Sequence, residues 1–405
     1  MELLTAFAEG LDGVPDELVA ALSAPLIDHH VHGCLTGPVD RAGFEVMLNE
    51  GSSDPIPPYT TQFDSQLGFA VRRWCAPLLG LEPGAPADMY WARRAQLGAE
   101  DVARRLLAEA GVERWIVDPG YGADVVTSPS ILTAWSGAPC NTVVRLESLG
   151  EELVALGTTP HDYPDAFRAR LAVPGPVGAK SIVAYRCGFD LDWSAPPDAA
   201  VAAEVAAGRA AARMTSPVLS VFGIHAAVQA GLPVQLHVGL GDRDLDLHRV
   251  DPLLLLPLLR QPAVARVPVM LLHCYPFHRQ AGYLAQAFPN VHCDVGLAIN
   301  HVGARSVEIV AESLELAPFA RQLYSSDAWG PPELHLLGAV LWRRAMARVL
   351  GRWVREGDWT LADAVRVVGM IGRENAARVY EPLSTAPVAG HPRPSGTPVE
   401  LAPDH

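Results

Sequence analysis

Short runs of apolar and β-branched residues alternate along the chain with longer stretches in which apolar residues recur at helical spacing. The helical stretches include Glu100–Ala110, before the second run, and Glu333–Gly351, after the last. Several short runs are apolar at nearly every position, as is typical of parallel strands that are covered on both faces. The predicted strands are Ala24–Ile27, Arg114–Val117, Thr142–Leu146, Ala179–Ala184, Pro233–Leu236, Val267–Leu272, Val291–Val295 and Gln322–Ser325. Eight alternating units predict an α/β protein with a closed (β/α)8 barrel of the TIM type.

The alternative is an open, doubly wound sheet. Such a sheet would be favoured by a G-x-G-x-x-G fingerprint after the first run, and the sequence has none there. Two connections, Gly33–Ala99 and Cys187–Met214, are too long for ordinary loops and leave from the carboxyl ends of strands, which form the active-site face of such a barrel. We expect residues 33–99 to be a helical insertion over that face, within one domain spanning 1–384. A separate small domain is the alternative.

Composition narrows the class of protein. The chain has 405 residues, of which 49% are hydrophobic, and a net charge of −14. The apolar content excludes a disordered chain, and the acidic balance argues against a nucleic-acid partner. The most apolar stretch, Leu253–Leu259, is short and interrupted by Pro257, so we expect no membrane span. From Thr385 onward the chain is rich in Pro, Gly and Ala, which predicts a disordered or loosely packed tail over 385–405.

The N-terminal residues and the cysteines indicate the cellular compartment that we expect for the protein. Glu2 and Glu9 lie near the N-terminus with no early Lys or Arg, so a signal peptide is not expected. The six cysteines include no C-x-x-C pair, which fits reduced thiols in a cytoplasmic protein. We expect a small-molecule substrate as the partner. Self-association through outer helices is common in such barrels and stays open.

The first predicted strand ends in Asp28-His29-His30-Val31-His32. Residues two apart on a strand point to the same side, so His30 and His32 should project together and chelate a divalent metal. A chance pair of histidines in a loop is the alternative reading. His29 should face the other way and serve a structural role.

Further candidate ligands follow later strands in order. His237 ends the run PVQLH, His273 ends PVMLLH and Asp327 ends LYSSD. Because each follows a buried-strand pattern, all should meet on one rim, which predicts a metal site there. Lys180, on the fourth strand, should also point inward, and a buried ammonium is costly. Either its amine carries a carbamate that binds metal, or it contacts substrate or Glu147.

The order Asp28-x-His30-x-His32, fourth-strand Lys180, His237, His273 and Asp327 resembles the amidohydrolase superfamily of metal-dependent (β/α)8 hydrolases. The segments HCYPFHRQAGYLAQAFPNVHCDVGL and GRENAARVY are similar to its amidohydrolase-2 branch. KSIVAYR, QLHVGLGD and YSSDAWG look closer still to the amidohydrolase portion of FluG-like proteins and their nodulin/glutamine-synthetase relatives. We expect no role tied to a fused glutamine-synthetase half, and the long 33–99 insertion departs from the smaller members.

The resemblance implies that His30, His32 and Asp327 bind one divalent ion, which we expect to be Zn2+. With a second ion, carboxylated Lys180 bridges the two, and His237 and His273 bind the second; because all six positions are filled, we favour two ions. In relatives with one ion, His237 completes the site and His273 is free to polarise the substrate or shuttle protons. Those relatives include nonoxidative decarboxylases.

The chemistry expected of this site is water activation, because a zinc-type ion lowers the pKa of bound water from about 16 to about 7. Asp327 and His273 are the predicted catalytic residues: Asp327 accepts the proton of the water and passes it to the departing amine. Arg186 shares strand parity with Lys180 and could bind a substrate carboxylate, or instead form a salt bridge with Asp190 or Asp242.

We therefore expect a metal-dependent amidohydrolase acting on a small, carboxylate-bearing amide, such as a γ-glutamyl or N-acyl amino-acid compound. One alternative is a mononuclear decarboxylase of an unsaturated or aromatic acid. The other is a catalytically silent barrel, which would require the loss of at least one ligand position, and none is lost.

Overall fold

A computed structural model of the chain describes residues 7–380, and its central feature is a parallel β-sheet. Seven strands follow one another in chain order, each hydrogen-bonded to the next. Their bounds are β1 Leu26–Val31, β2 Val112–Val117, β3 Cys140–Arg145, β4 Gly178–Ser181, β5 Val234–His237, β6 Val269–Leu272 and β7 Val291–Cys293. This is the α/β architecture of a TIM-type barrel. The predicted tail, 385–405, lies outside the described residues.

The eighth predicted strand, Gln322–Ser325, is not a strand in the structure, so that prediction is not confirmed. Its residues nevertheless make backbone hydrogen bonds to both edges of the sheet. The N–H of Leu323 donates to the carbonyl of Cys293 on β7 at 3.0 Å, and the N–H of His29 on β1 donates to the carbonyl of Tyr324 at 3.1 Å. The segment thus links β7 to β1, and it leads directly into Asp327.

Helices connect the strands, as the helical periodicity predicts. In chain order they are α1 Asp16–Leu22, α2 Arg41–Met47, α3 Gln66–Ala70, α4 Ala87–Leu97, α5 Ala99–Glu109, α6 Pro129–Ser136, α7 Leu146–Ala155, α8 Tyr163–Leu171, α9 Val183–Cys187, α10 Asp198–Ala206, α11 Pro217–Gln229, α12 Leu256–Leu259, α13 His278–Ala287, α14 Gly296–Val302, α15 Ser306–Ser313, α16 Pro332–Glu356, α17 Leu361–Gly369 and α18 Asn375–Tyr380. Segment 33–99 contains α2, α3 and α4; its position over the active-site face stays a prediction. Within residues 7–380, no helix combines the length and the apolar character that a membrane crossing needs.

The fourth strand is shorter than the sequence predicts. It ends at Ser181, and α9 starts at Val183 instead of continuing the strand to Ala184. The carboxylate of Glu147 accepts hydrogen bonds from Ser181 Oγ at 2.6 Å and from the N–H of Ile182 at 3.1 Å, while Ser181 Oγ accepts from the N–H of Val183. These side-chain partners replace the ladder bonds, so the backbone can turn into a helix.

Helix α16 packs through the core and carries a buried arginine that stabilises the C-terminal ends of two other helices. Arg343 is 1% exposed. Its guanidinium donates to the carbonyls of Leu22 at 2.8 Å, Ala110 at 2.7 Å and Gly111 at 3.0 Å. These carbonyls lie at the C-terminal ends of α1 and α5, where helical carbonyls lack intrahelical partners. Arg343 therefore takes the place of a cap for both helices.

Replacing Arg343 with methionine is expected to lower the free energy of unfolding by about 3 kcal/mol, because the buried carbonyls of Leu22 and Ala110 lose this donor. Chemical denaturation measures the change. Arg348, exposed on the same helix, provides the matched control: Arg348→Met should change stability by less than about 0.5 kcal/mol. An equal effect of the two substitutions would contradict the capping role of Arg343.

Candidate metal centre

Three histidines converge on one carboxylate at the carboxyl ends of the strands. His30 and His32 lie at the end of β1, and His273 directly follows β6. Their Nε2 atoms lie 3.2 Å, 3.5 Å and 3.2 Å, respectively, from the carboxylate oxygens of Asp327. The His30 and His273 side chains are fully buried, and that of Asp327 is 11% exposed. The structure thus brings together four of the six predicted ligands in one cluster that is almost completely buried.

The remaining two predicted ligands line the same cluster. Lys180 Nζ lies 3.3 Å from His30 Nε2. The His237 ring centroid lies 4.8 Å from that of His273 and 4.6 Å from that of Tyr185. His237 belongs to neither of the two groups in which the possible ligand atoms lie within 4.8 Å of one another, which are His30, His273 and Asp327, and His30, His32 and Asp118. The structure therefore places His237 beside the centre, not at its nearest positions.

The spacing of these atoms fits a tetrahedral metal. Two ligands bonded to zinc at about 2.0–2.1 Å in a tetrahedron lie about 3.3–3.4 Å apart, close to the 3.2–3.5 Å found between the histidine nitrogens and Asp327. His273 Nε2 and His237 Nε2 are buried and have no hydrogen-bond partner among the described residues. Because buried polar atoms are normally satisfied, these two nitrogens fit the role of metal ligands.

Each β1 histidine is oriented through its other ring nitrogen. His30 Nδ1 lies 2.8 Å from Gln235 Oε1, and His32 Nδ1 lies 2.9 Å from the backbone oxygen of Asp118. Because an oxygen acceptor holds the proton on Nδ1, the lone pair of each Nε2 faces the centre. This arrangement is the usual way in which proteins fix the tautomer of a metal-binding histidine. Gln235 also donates to the carbonyl of His29 at 2.9 Å.

Gln235→Leu is expected to weaken metal binding by about 10- to 100-fold, because His30 loses the acceptor that holds its tautomer. Titration of the metal-free variant with zinc against a competing chelator measures the affinity. Gln322→Leu is the matched control, since Gln322 is a buried amide whose Nε2 donates to the carbonyl of Ala317 and does not contact the centre. Zinc affinity lost equally in both variants would refute a specific role for Gln235.

Two buried aspartates position the backbone of the ligands. Asp28 accepts hydrogen bonds from the N–H and the Oγ of Ser326, next to Asp327, at 3.1 and 2.5 Å. Asp294 accepts from the N–H of His273 at 3.0 Å and contacts His29 Nε2 at 2.9 Å. Asp327 and His273 both adopt positive φ, 49° and 68°. Non-glycine residues with positive φ cluster at functional sites, where surrounding bonds hold them.

The structural role predicted for His29 agrees with this contact to Asp294. Asp28 already stands in the DHHVH motif of the sequence analysis, and Asp294 could have been noticed as a carboxylate within a buried strand pattern, at HCDVG. Nothing in the sequence pairs them with their partners, which lie far along the chain.

Burial governs the electrostatics of the cluster. It lowers the pKa of His30 to about 3 and that of His273 to about 4, so both imidazoles are neutral and can bind metal. Burial raises the pKa of Asp327, but His273, His30 and His32 outweigh it and hold the pKa well below its usual range. Burial also lowers the pKa of Lys180 to about 8. Within residues 7–380, no carboxylate lies within ion-pair distance of Lys180, and Glu147 bonds instead to Ser181 and Ile182.

Arg186 differs from its prediction. It lies on α9, so the argument from strand parity is wrong, because the strand ends at Ser181. Its Nη2 pairs with Glu151 at 3.2 Å, whereas the predicted partner Asp190 pairs with Arg249. Nε and Nη1 of Arg186 have no hydrogen-bond partner among the described residues. Its role in substrate binding stays a prediction.

Comparison with known proteins agrees with this geometry. A sequence profile described as "Amidohydrolase" matches residues 154–381, more than half of the chain. The chain belongs to the amidohydrolase family. The chain is 28% identical to the protein fluG of Emericella nidulans over an alignment of 423 positions, which covers 91% of the chain and 47% of fluG. The chain thus spans about half the length of this curated relative.

Solved structures share the fold of this chain. A protein from Lactobacillus casei ATCC 334, provisionally assigned as a metal-dependent hydrolase, superposes with a TM-score of 0.77 at 26% identity, over 88% of this chain and 95% of that one. A uronate isomerase from Bacillus halodurans superposes with a TM-score of 0.58 at 14% identity, over 90% and 95% of the two chains. The second likeness shows the fold alone. The family and its fold therefore agree with the sequence resemblance.

Proposed function

We propose that the protein is a metal-dependent hydrolase that cleaves the amide bond of a small, carboxylate-bearing substrate. The observation that carries the proposal is the convergence of three buried histidine Nε2 atoms on the Asp327 carboxylate at the spacing of metal ligands. Membership of the amidohydrolase family and the likeness to the Lactobacillus casei protein support it.

His30, His32 and Asp327 would hold the first divalent ion, with Zn2+ proposed because imidazole nitrogens and a carboxylate suit it. Lys180, His237 and His273 lie beside them and would hold a second. When bound, the metal would polarise the substrate carbonyl and lower the pKa of water. A neutral amine is the form that reacts with CO2, so the lowered pKa of Lys180 favours a carbamate there. A mass increase of one CO2 on the peptide carrying Lys180, together with two metals per chain, is the expected result.

Asp327 is the proposed proton carrier. Its carboxylate is ionised at neutral pH, because contacts with the three histidines hold its pKa low. One oxygen faces His30 and His32, and the other faces His273. It can therefore accept the proton of the attacking water on one oxygen and deliver that proton to the departing amine. An amine that is not protonated is a poor leaving group, so this transfer decides the rate.

His273 is placed to assist at the carbonyl. It directly follows β6, its ring is buried, and Nδ1 has no hydrogen-bond partner among the described residues. The hydrogen bond from its N–H to Asp294 holds the backbone in its positive-φ conformation. With a single ion bound, His273 is not a ligand, and as a neutral imidazole it can then donate a hydrogen bond to the substrate oxygen on which negative charge develops.

The proposal is tested by assaying zinc-loaded protein against N-acyl amino acids and γ-glutamyl amides, with detection of the freed amine. The expected result is metal-dependent amine release that stops when the metal is chelated and returns on re-addition. CO2 release from unsaturated or aromatic acids, with one metal per chain, would replace the proposal by a decarboxylase. No turnover of any amide by fully metal-loaded protein would contradict it.

A further inference from the structure

Arg145 is a largely buried arginine beside the candidate metal centre that sequence reasoning did not single out. It ends β3 and lies in register with Lys180 on β4, whose Nζ contacts His30. Its side chain is 9% exposed. Burial lowers the pKa of Arg145, but nearby charges that include Asp327 raise it. The pKa of Arg186 responds instead mainly to its burial and to the charges of Glu151, Arg213 and Glu147. Arg145 therefore belongs to the rim that carries the centre.

One edge of the Arg145 guanidinium is held in place. Nε and Nη2 donate to Oδ2 of Asp118 at 2.9 and 2.6 Å. Oδ1 of Asp118 accepts from the N–H of Gly120 at 2.9 Å, and the backbone oxygen of Asp118 contacts His32 Nδ1. Asp118 thus connects the arginine to a candidate ligand, and the orientation of the guanidinium plane is set before any substrate arrives.

The other edge of the guanidinium has no protein acceptor. Among residues 7–380, no side chain or carbonyl accepts a hydrogen bond from Arg145 Nη1. Cζ lies 5.5 Å from the ring centroid of Tyr121, whose ring lies 6.0 Å from that of His32 and 5.3 Å from that of Trp329. Tyr121 is half exposed, so this aromatic group lies where the centre opens to solvent. A largely buried guanidinium with free donors is placed to receive an anion.

We propose that the Nη1–Nη2 edge of Arg145 binds the substrate carboxylate and determines the preference for acids over neutral amides. The inference rests on the proposed function, since it concerns the substrate of the same centre. The planar fork of arginine matches the two oxygens of a carboxylate. The Nε–Nη2 edge already bonds to Asp118, so the Nη1–Nη2 edge is the one that can receive the substrate. Tyr121 and Trp329 would cover the rest of the ligand. Arg186 is then the competing residue for the same role.

Binding of a matched pair of probes to the zinc-loaded protein tests this inference. The acid is N-benzoylglycine and the neutral control is N-benzoylglycinamide, which differ only at the carboxyl group. We expect calorimetry to show that the wild type binds the acid at least about tenfold more tightly, as hydrogen bonds to a charged group allow. Arg145→Met should remove this preference, and Arg145→Lys, which keeps the charge without the fork, should restore only part of it.

Arg170→Met is the control for removing a positive charge, because Arg170 is exposed on α8 and pairs with Glu152; it should keep the full preference. Metal content and unfolding temperature are recorded for every variant. If Arg145→Met does not fold, Arg145→Lys alone is used to test the loss of preference. A preference that survives in both Arg145 variants, that Arg186→Met abolishes instead, or that the wild type lacks would overturn the inference. The calorimetry is repeated in the Asp327→Asn background, where little turnover is expected, so that failure to hydrolyse amides counts only against the proposed function.

Discussion

Replacing Asp327 with asparagine is expected to lower turnover of an amide substrate by about 100- to 10,000-fold, the usual contribution of a positioned proton carrier. Asparagine is nearly the same shape and keeps an oxygen that can face His30 and His32. It cannot accept a proton from water, so protonation of the departing amine fails. The variant should therefore keep much of its metal, and kcat should fall more than the affinity for substrate.

The measurement is kcat and metal content on the same preparation, with the metal supplied in excess. Asp165→Asn is the matched control, because Asp165 is an exposed carboxylate on α8 that contacts Arg168. It should leave both quantities unchanged. Retained turnover in a fully metal-loaded Asp327→Asn protein would refute the proton-transfer role. If turnover falls only in proportion to the metal that is lost, Asp327 acts as a ligand and not as the proton carrier.

Replacing His30 with alanine is expected to weaken metal binding by more than about 100-fold and to abolish turnover. His30 Nε2 lies 3.2 Å from Asp327 and 3.3 Å from Lys180, so it occupies the middle of the cluster. Its loss removes one nitrogen ligand and leaves the remaining groups without a shared centre. Zinc titration against a chelator measures the affinity.

The control for His30→Ala is His225→Ala. His225 is also a buried imidazole, on α11, but its Nε2 contacts the backbone oxygen of Trp193. Both substitutions remove a buried ring, so both should lower stability, whereas only His30→Ala should lower zinc affinity. A similar affinity in the two variants would mean that His30 is not a ligand.

The strands and the placing of most candidate ligands together on one rim could be predicted because they depend on local pattern. A run of apolar residues marks a buried parallel strand, and a polar residue directly after such a run lies on the rim, as His237, His273 and Asp327 do. The segment before Asp327 was predicted as a strand on the same grounds. It makes only isolated ladder bonds, and the backbone turns to positive φ at Asp327.

Other features depend on contacts between distant parts of the chain. Gln235 and Asp118 matter because they bond to His30 and His32, 205 and 86 residues away in sequence. No periodicity in the sequence connects such pairs. The prediction that Arg186 binds the substrate carboxylate extends strand parity past Ser181, where side-chain bonds from Glu147 stop the strand.

The most direct test of the account is X-ray diffraction from crystals of zinc-loaded protein, recorded on both sides of the zinc absorption edge. The account predicts an anomalous peak at about 2.0–2.2 Å from the Nε2 atoms of His30 and His32 and from an Asp327 oxygen. A second peak near His237 and His273 would indicate a second ion and would support Lys180 as the ligand between the two ions. Protein that takes up no zinc, or a peak found away from these side chains, would contradict the central claim that they share one cation.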